Sequence, residues 1–261
     1  MSTFFNMRGF YNNGNTCYFN SAIQCLLHMK ALSMYILKTP YNGECCFTRE
    51  YRKLLEAYYC SDIPGPLNII SVLNEFQIKF PRFNKYEQHD AQDALFCIID
   101  ILENSIPYIK ELLYGENTQE TIYNGGKNKI KIPFSIHILD SHIETPTVID
   151  MIKQSKKWHV LEDYIDDSGK NHHVATTRNI FSKLPKIMIV SFDKKNNDIH
   201  MEDVDNLESC IIHTGHQNKG HYMSMVKINK KWFLQDDDIL RPAEFPTKAG
   251  YYVLVYNLKT P

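Results

Sequence analysis

The sequence predicts an α+β fold, with helices first and strands after. Three observations carry this. From residue 17 to about residue 103, apolar residues recur at helical spacing. From about residue 130 they alternate with polar ones at period 2, or run together over five or six residues, as strands do. The texture changes once, around Gly115, and does not change back. The 261 residues are 43% hydrophobic, enough to bury a sizeable core. They are read as a single domain, 1–261, with a helical lobe over about 1–115, a β lobe over about 116–261, and function expected between them.

Composition excludes several classes. A formal net charge of −1 makes no electrostatic case for nucleic acid or an anionic surface. No apolar run approaches the ~18 residues of a membrane span, and residues 1–8 lack the apolar core of a signal peptide. Seven cysteines occur without a C-x-x-C pair, which disfavours a disulfide framework and common zinc sites. The expectation is a reduced, intracellular, monomeric protein that needs no metal and no cofactor.

Residues 9–29 begin as a loop and end as a helix. Gly9, Asn12, Asn13, Gly14 and Asn15 read as turn residues, because Gly and Asn tolerate φ > 0. Thr16 reads as an N-cap whose hydroxyl serves the helix start. Cys17 then falls at the first helical position, where free N–H groups and the positive end of the dipole favour a thiolate. The helix over 17–29 is apolar nearly all round and should run through the core. Cys25, Cys45, Cys46, Cys60, Cys97 and Cys210 read as small buried hydrophobes. Further helices are expected over 31–37, 50–59, 67–76 and 88–103. Asp90 and Asp93 open the last of these, where a dipole favours acids.

Asn124-Gly125-Gly126 reads as a turn, followed by alternating strands over 130–132 and 134–138. Residues 187–192 form a near-continuous apolar run, expected of a central strand. Strands over 211–214, 221–228, 231–235 and 251–256 complete a largely antiparallel half. The polar stretch 155–179 has no clear period, and His172-His173 within it reads as part of an exposed loop rather than as metal ligands.

The second half of the chemistry lies at 213–238. A Gly-containing polar loop delivers His221 to a strand, and Asn229-Lys230 turns the chain back toward Asp236. Antiparallel pairing brings Asp236 near His221. A cysteine nucleophile needs this pair: an imidazole to take and return the proton, and a carboxylate to fix the ring.

With these pieces assembled, the chain resembles the ubiquitin-specific proteases, papain-like deubiquitinases built of fingers, palm and thumb. Residues 9–24 are similar to the family's first box, G-L-x-N-x-G-N-T-C-Y-x-N-S-x-L-Q. Residues 88–93 are similar to Q-x-D-A-x-E, with Asp93 where Glu is usual. Pro133-Phe134, Leu184-Pro185, Gly220-His221-Tyr222, Trp232, Asp236-Asp237 and residues 249–256 follow in the family's order. The resemblance implies a helical thumb packed on an antiparallel β palm. Reduced fingers follow from the missing C-x-x-C pairs. It implies Cys17 as nucleophile, His221 as general base, Asp236 as its orienter and Asn12 as side-chain donor of the oxyanion hole. Asp237 either supports that oxyanion site or stands in for Asp236. Asp90 resembles the thumb acid that meets an arginine of the ubiquitin tail, against the simpler reading of dipole compensation. After the L-P strand, Asp193-Lys194-Lys195 departs from the usual K-R-F. The implied partner is ubiquitin or its conjugates. The alternatives are another modifier with a Gly-Gly tail, such as SUMO, a ubiquitin-binding pseudoenzyme, or a papain-like enzyme acting on unmodified protein.

Overall fold

A computed structural model describes residues 7–84, 87–140, 147–193, 198–202, 204–216 and 219–258. Lys194 and Lys195 lie outside these residues. The first part is helical: α1 (Cys17–Leu27), α2 (Lys30–Lys38), α3 (Cys46–Cys60), α4 (Ile70–Lys79), α5 (Ala91–Ser105) and α6 (Tyr108–Leu113). Strands β1 (Gly115–Tyr123), β2 (Gly126–Phe134) and β3 (Ile136–Leu139) follow, then α7 (Val148–Ser155). The rest is β4 (His159–Ile165), β5 (Asn171–Lys183), β6 (Ile187–Phe192), β7 (Ile199–His200), β8 (Leu207–His216), β9 (Lys219–Ile228), β10 (Lys231–Asp236), β11 (Ile239–Pro242), β12 (Lys248–Ala249) and β13 (Tyr251–Asn257). No helix among the described residues is long and apolar enough to cross a membrane.

All eleven residues of α1 are buried, as a helix without a polar face requires. It packs between α5 and β9. Just beyond its end, buried His28 shares a hydrogen bond of 3.0 Å between Nε2 and the Tyr58 hydroxyl on α3. That hydroxyl also accepts from Gln235 Nε2 on β10 at 3.1 Å, and Ser224 Oγ on β9 donates to Gln235 Oε1 at 3.2 Å. Burial, and then Lys30, push the His28 imidazole down to about 3, so it stays neutral in this network. The four side chains are buried and tie the helical part to the β9–β10 hairpin.

Seven strands form one sheet in the order β11-β10-β9-β8-β13-β6-β3. The pairs are antiparallel except β3 with β6, which run parallel. On β6, Ile187 and Ile189 join the core under the helices, while Met188, Val190 and Phe192 join a second core with Val148 and Met151 of α7. Both faces of the strand are covered, which explains its continuous apolar run.

A second sheet has the order β2-β1-β5-β4. It absorbs the stretch 155–179 that sequence periodicity left unplaced. His172 and His173 lie on β5 and not in a loop. His172 is buried, its Nε2 bonded to Asp166 Oδ2 at 2.8 Å, while His173 faces solvent. The sheet is open and held by polar pairs: Thr121 with Thr177 at 3.2 Å, and Arg178 and Lys129 converging on Glu120 at 2.6 and 2.5 Å. Lys129, then Arg178, hold the Glu120 carboxyl below its ordinary range. Such strands bury too little for apolar alternation to show.

Three cysteines also depart from expectation. Cys46 and Cys60 are exposed and Cys45 is partly so. They sit at the two ends of α3, where it leaves the core.

Candidate active site

The loop 9–16 and the start of α1 form one side of the site. Among the loop residues, positive φ is confined to Gly14 (89°) and Asn15 (54°), so the turn is tighter than the five candidate turn residues suggested. Gly9 serves close approach instead. A Cβ there would lie 2.5 Å from the backbone of Asp237 and Asp238, and the neighbouring Phe10 N–H donates to the Asp237 carbonyl at 2.7 Å. Thr16 precedes α1, but its hydroxyl does not cap the helix. It accepts from Asn13 N at 3.0 Å and donates to Asn12 Oδ1 at 3.2 Å. Asn12 Oδ1 also accepts from Gly14 N at 3.0 Å and Thr16 N at 3.1 Å. The oxygen of Asn12 therefore folds the loop, leaving its NH₂ for other work. Cys17 is the first helical residue and 4% exposed.

The β9–β10 hairpin forms the other side. Asn229 and Lys230 both have positive φ (49° and 66°), the two-residue turn that matches strand twist. The register pairs Ser224 with Gln235, so Asp236, the next residue of β10, lies toward His221 on β9. His221 Nε2 and Asp236 Oδ1 are 2.6 Å apart. The Cys17 side chain acts on the same ring and raises its proton affinity. Because Nε2 is committed to Asp236, Nδ1 is the ring nitrogen left for the thiol. Gly220 is required here, since a Cβ would lie 2.1 Å from His213 Nε2.

Cys17, and then Asp236, raise the His221 imidazole to about 9 against partial burial that lowers it. A folded value raised above the unfolded one stabilises the fold fully below pH ~6.5 and loses that contribution as pH climbs through about 9. The same titration bounds activity. The alkaline limb of kcat/KM is expected near pH 9 and should move to lower pH in Asp236→Asn, which keeps an acceptor but removes the charge. A pH profile with an unmoved limb would detach Asp236 from the ring's titration.

Asp237 has a positive φ of 50°. Its Oδ2 accepts from Asn12 Nδ2 at 2.7 Å and its Oδ1 from Asn20 Nδ2 at 2.7 Å. Ligand atoms of His221, Asp236 and Asp237 come within 4.8 Å of one another, spacing a metal ion could use. Each of the three is committed to a protein partner: His221 and Asp236 to each other, and Asp237 to Asn12 and Asn20.

A family model described as ubiquitin carboxyl-terminal hydrolase matches residues 8–203 and 193–256. The chain belongs to this family. Ubiquitin carboxyl-terminal hydrolase 17 of Arabidopsis thaliana is 22% identical over 310 residues, covering 97% of the chain and 42% of the relative. Ubiquitin carboxyl-terminal hydrolase 2 of Homo sapiens is 31% identical over 108 residues, covering 38% of the chain and 18% of the relative. The chain thus spans less than half the length of these relatives. Among solved structures, the SAGA Ubp8/Sgf11/Sus1/Sgf73 DUB module bound to ubiquitin aldehyde superposes with a TM-score of 0.83. The identity is 18%, with 100% of this chain and 71% of the other covered. The fold is that of the hydrolase family: helical thumb, seven-stranded palm and a four-stranded sheet for fingers.

In this hydrolase fold Asp90 is the N-cap of α5, the thumb helix. Its Oδ1 accepts from Gln92 N at 2.8 Å and Asp93 N at 3.2 Å. Its Oδ2 accepts from the Tyr252 hydroxyl of β13 at 2.9 Å, so one carboxylate joins thumb to palm. Burial, and then Asp90, raise the Tyr252 phenol and keep it a donor. Removing Asp90 would cost a cap, about 0.5–2 kcal/mol, whatever else it does. Asp90→Asn separates the roles, because Asn caps about as well and carries no charge. If Asp90 also meets a substrate arginine, Asp90→Asn lowers kcat/KM roughly tenfold to a hundredfold, with only the small fall in melting temperature that losing the Tyr252 bond brings. Unchanged kcat/KM would leave Asp90 a cap only.

Sequence reasoning passed over Gln88, Asn20 and Gln235. Gln88 Oε1 accepts from Gly220 N at 3.0 Å and braces the His221 loop from the thumb. Asn20 and Gln235 are buried amides among apolar neighbours. That contrast was the available signal, since a buried amide is costly unless something holds it.

Proposed function

We propose that this chain is a deubiquitinating cysteine protease that hydrolyses the peptide or isopeptide bond after the C-terminal Gly of ubiquitin. The His221–Asp236 pair at 2.6 Å, with the Cys17 side chain acting on the same ring from the start of α1, carries this reading. His221 takes the Cys17 proton, and the thiolate attacks the terminal carbonyl. The oxyanion meets the Cys17 N–H at the helix start and the second N–H of Asn12 Nδ2. His221 returns its proton to the leaving amine, a thioester on Cys17 results, and water attacks it with His221 again as base. Asp236 holds the ring in one tautomer, with Nε2–H toward the carboxylate. Family membership and the ubiquitin aldehyde bound by the structural neighbour support ubiquitin as the partner.

The direct test is ubiquitin carrying an electrophilic C-terminus. One adduct, mapped to Cys17, is expected. An adduct on Cys97 or Cys210 would reject the site. Reaction with a SUMO-based probe and not with ubiquitin would reassign the modifier.

A further inference from the structure

Asn20 occupies a position where a helix of this kind has no use for an amide. It lies one turn into α1 and is 3% exposed, between Phe19, Ala22 and Ile23, which are fully buried. Its Oδ1 is buried without a hydrogen-bond partner. Its Nδ2 donates to Asp237 Oδ1 at 2.7 Å, with longer approaches of 3.4 and 3.5 Å to the Tyr11 and Phe10 carbonyls. A leucine would pack there at lower cost, so the NH₂ group is what the site uses. The amide cannot be reversed, because its oxygen would then face a carboxylate.

We infer that Asn20 is a positioning residue for the oxyanion donor, acting through Asp237 on Asn12. This rests on the proposed hydrolase function. Asn12 is exposed, and its Oδ1 is held by Gly14 N, Thr16 N and Thr16 Oγ1, which leaves the NH₂ to be set by Asp237. Its Nδ2 has two N–H groups, one of which is fixed on Asp237 Oδ2 at 2.7 Å. The other is thereby aimed and polarised by a charge-assisted bond. Asp237 is itself held from three directions: Asn12 on Oδ2, Asn20 on Oδ1, and Phe10 N on its carbonyl at 2.7 Å. Of these, Asn20 alone is anchored in the helix that carries Cys17. The relay therefore registers the donor against the nucleophile, both fixed to α1. Asp236 bonds to His221 instead, so the adjacent acids hold different partners.

The experiment is a double-mutant cycle on ubiquitin hydrolysis with Asn20→Ala and Asn12→Ala. Asn20→Ala is expected to lower kcat at least tenfold with little change in KM, less than the 10²–10³ typical for loss of an oxyanion donor. In the Asn12→Ala background the same substitution should change kcat less than twofold, since its only route is gone. An equal loss in both backgrounds, or a lowered melting temperature with unchanged kcat, would overturn the inference. The reciprocal swap Asn20→Asp with Asp237→Asn exchanges donor and acceptor between positions 20 and 237, and leaves an amide oxygen at 237 to accept from Asn12 Nδ2. It should recover kcat relative to Asn20→Asp alone, and failure to recover counts against the relay. If wild type hydrolyses ubiquitin and Asn12→Ala is silent, Asn12 is not the oxyanion donor and the inference falls with it, while the hydrolase reading stands.

Discussion

Cys17→Ala is expected to lower turnover of a ubiquitin conjugate by a factor on the order of 10⁶, the scale for loss of a nucleophile that works in a unit with its base. Binding should survive, and here the structure sharpens the expectation. Cys17 is 4% exposed at the head of a helix whose every side chain is buried, so a methyl group replaces the thiol without disturbing the cleft. His221 loses the partner that does most to raise its proton affinity, while the Asp236 bond remains. Its titration, followed by NMR in Cys17→Ala, should fall below about 9. Residual turnover within tenfold of wild type would remove Cys17 from the chemistry, and loss of ubiquitin binding would mean that Cys17 also supports the cleft.

Asn12→Ala should reduce kcat by about 10²–10³ and leave KM nearly unchanged, because an oxyanion donor acts on charge that develops after binding. The substitution also deletes an oxygen that accepts from Gly14 N, Thr16 N and Thr16 Oγ1. A lower melting temperature should therefore accompany the kinetic loss. The two effects separate by substrate. An activated ester, whose attack is less demanding, should recover part of kcat, whereas a misfolded loop would be equally poor on ester and isopeptide. A change confined to KM would make Asn12 a binding residue.

How much of this was legible in the sequence follows from where each signal resides. Helices α1 and α5 and strand β6 declared themselves because each is buried on more than one side, and burial writes a pattern. The Asn229-Lys230 turn fixed the hairpin register, and with it the nearness of His221 and Asp236. Strands β4 and β5 left no pattern because their sheet is open and stabilised by Thr, Arg and Glu pairs that look like any polar surface. The Thr16 cap failed for a local reason. The hydroxyl accepts from Asn13 N in place of a helix N–H and donates to Asn12 Oδ1, contacts three and four residues back that propensity could not see. Asp90 was legible as an acid at a helix start. Its link to Tyr252, far along the chain, was not.

The hairpin joining His221 to Asp236 also has a bearing on how the chain folds. The two residues are connected through a two-residue turn, and their loop closes at small entropic cost, on the timescale of ~1–10 μs for a hairpin. Cys17 arrives from near the opposite end of the sequence, and its helix must thread between α5 and β9 before its thiol meets the ring. Long-range closure of this kind is slow. Base and orienter thus assemble early and the nucleophile last, so a partly folded chain holds an imidazole with nothing to activate. In refolding, hydrolytic activity should appear only with the final phase, and a nascent chain emerging from its N-terminus carries a thiol long before it carries a protease.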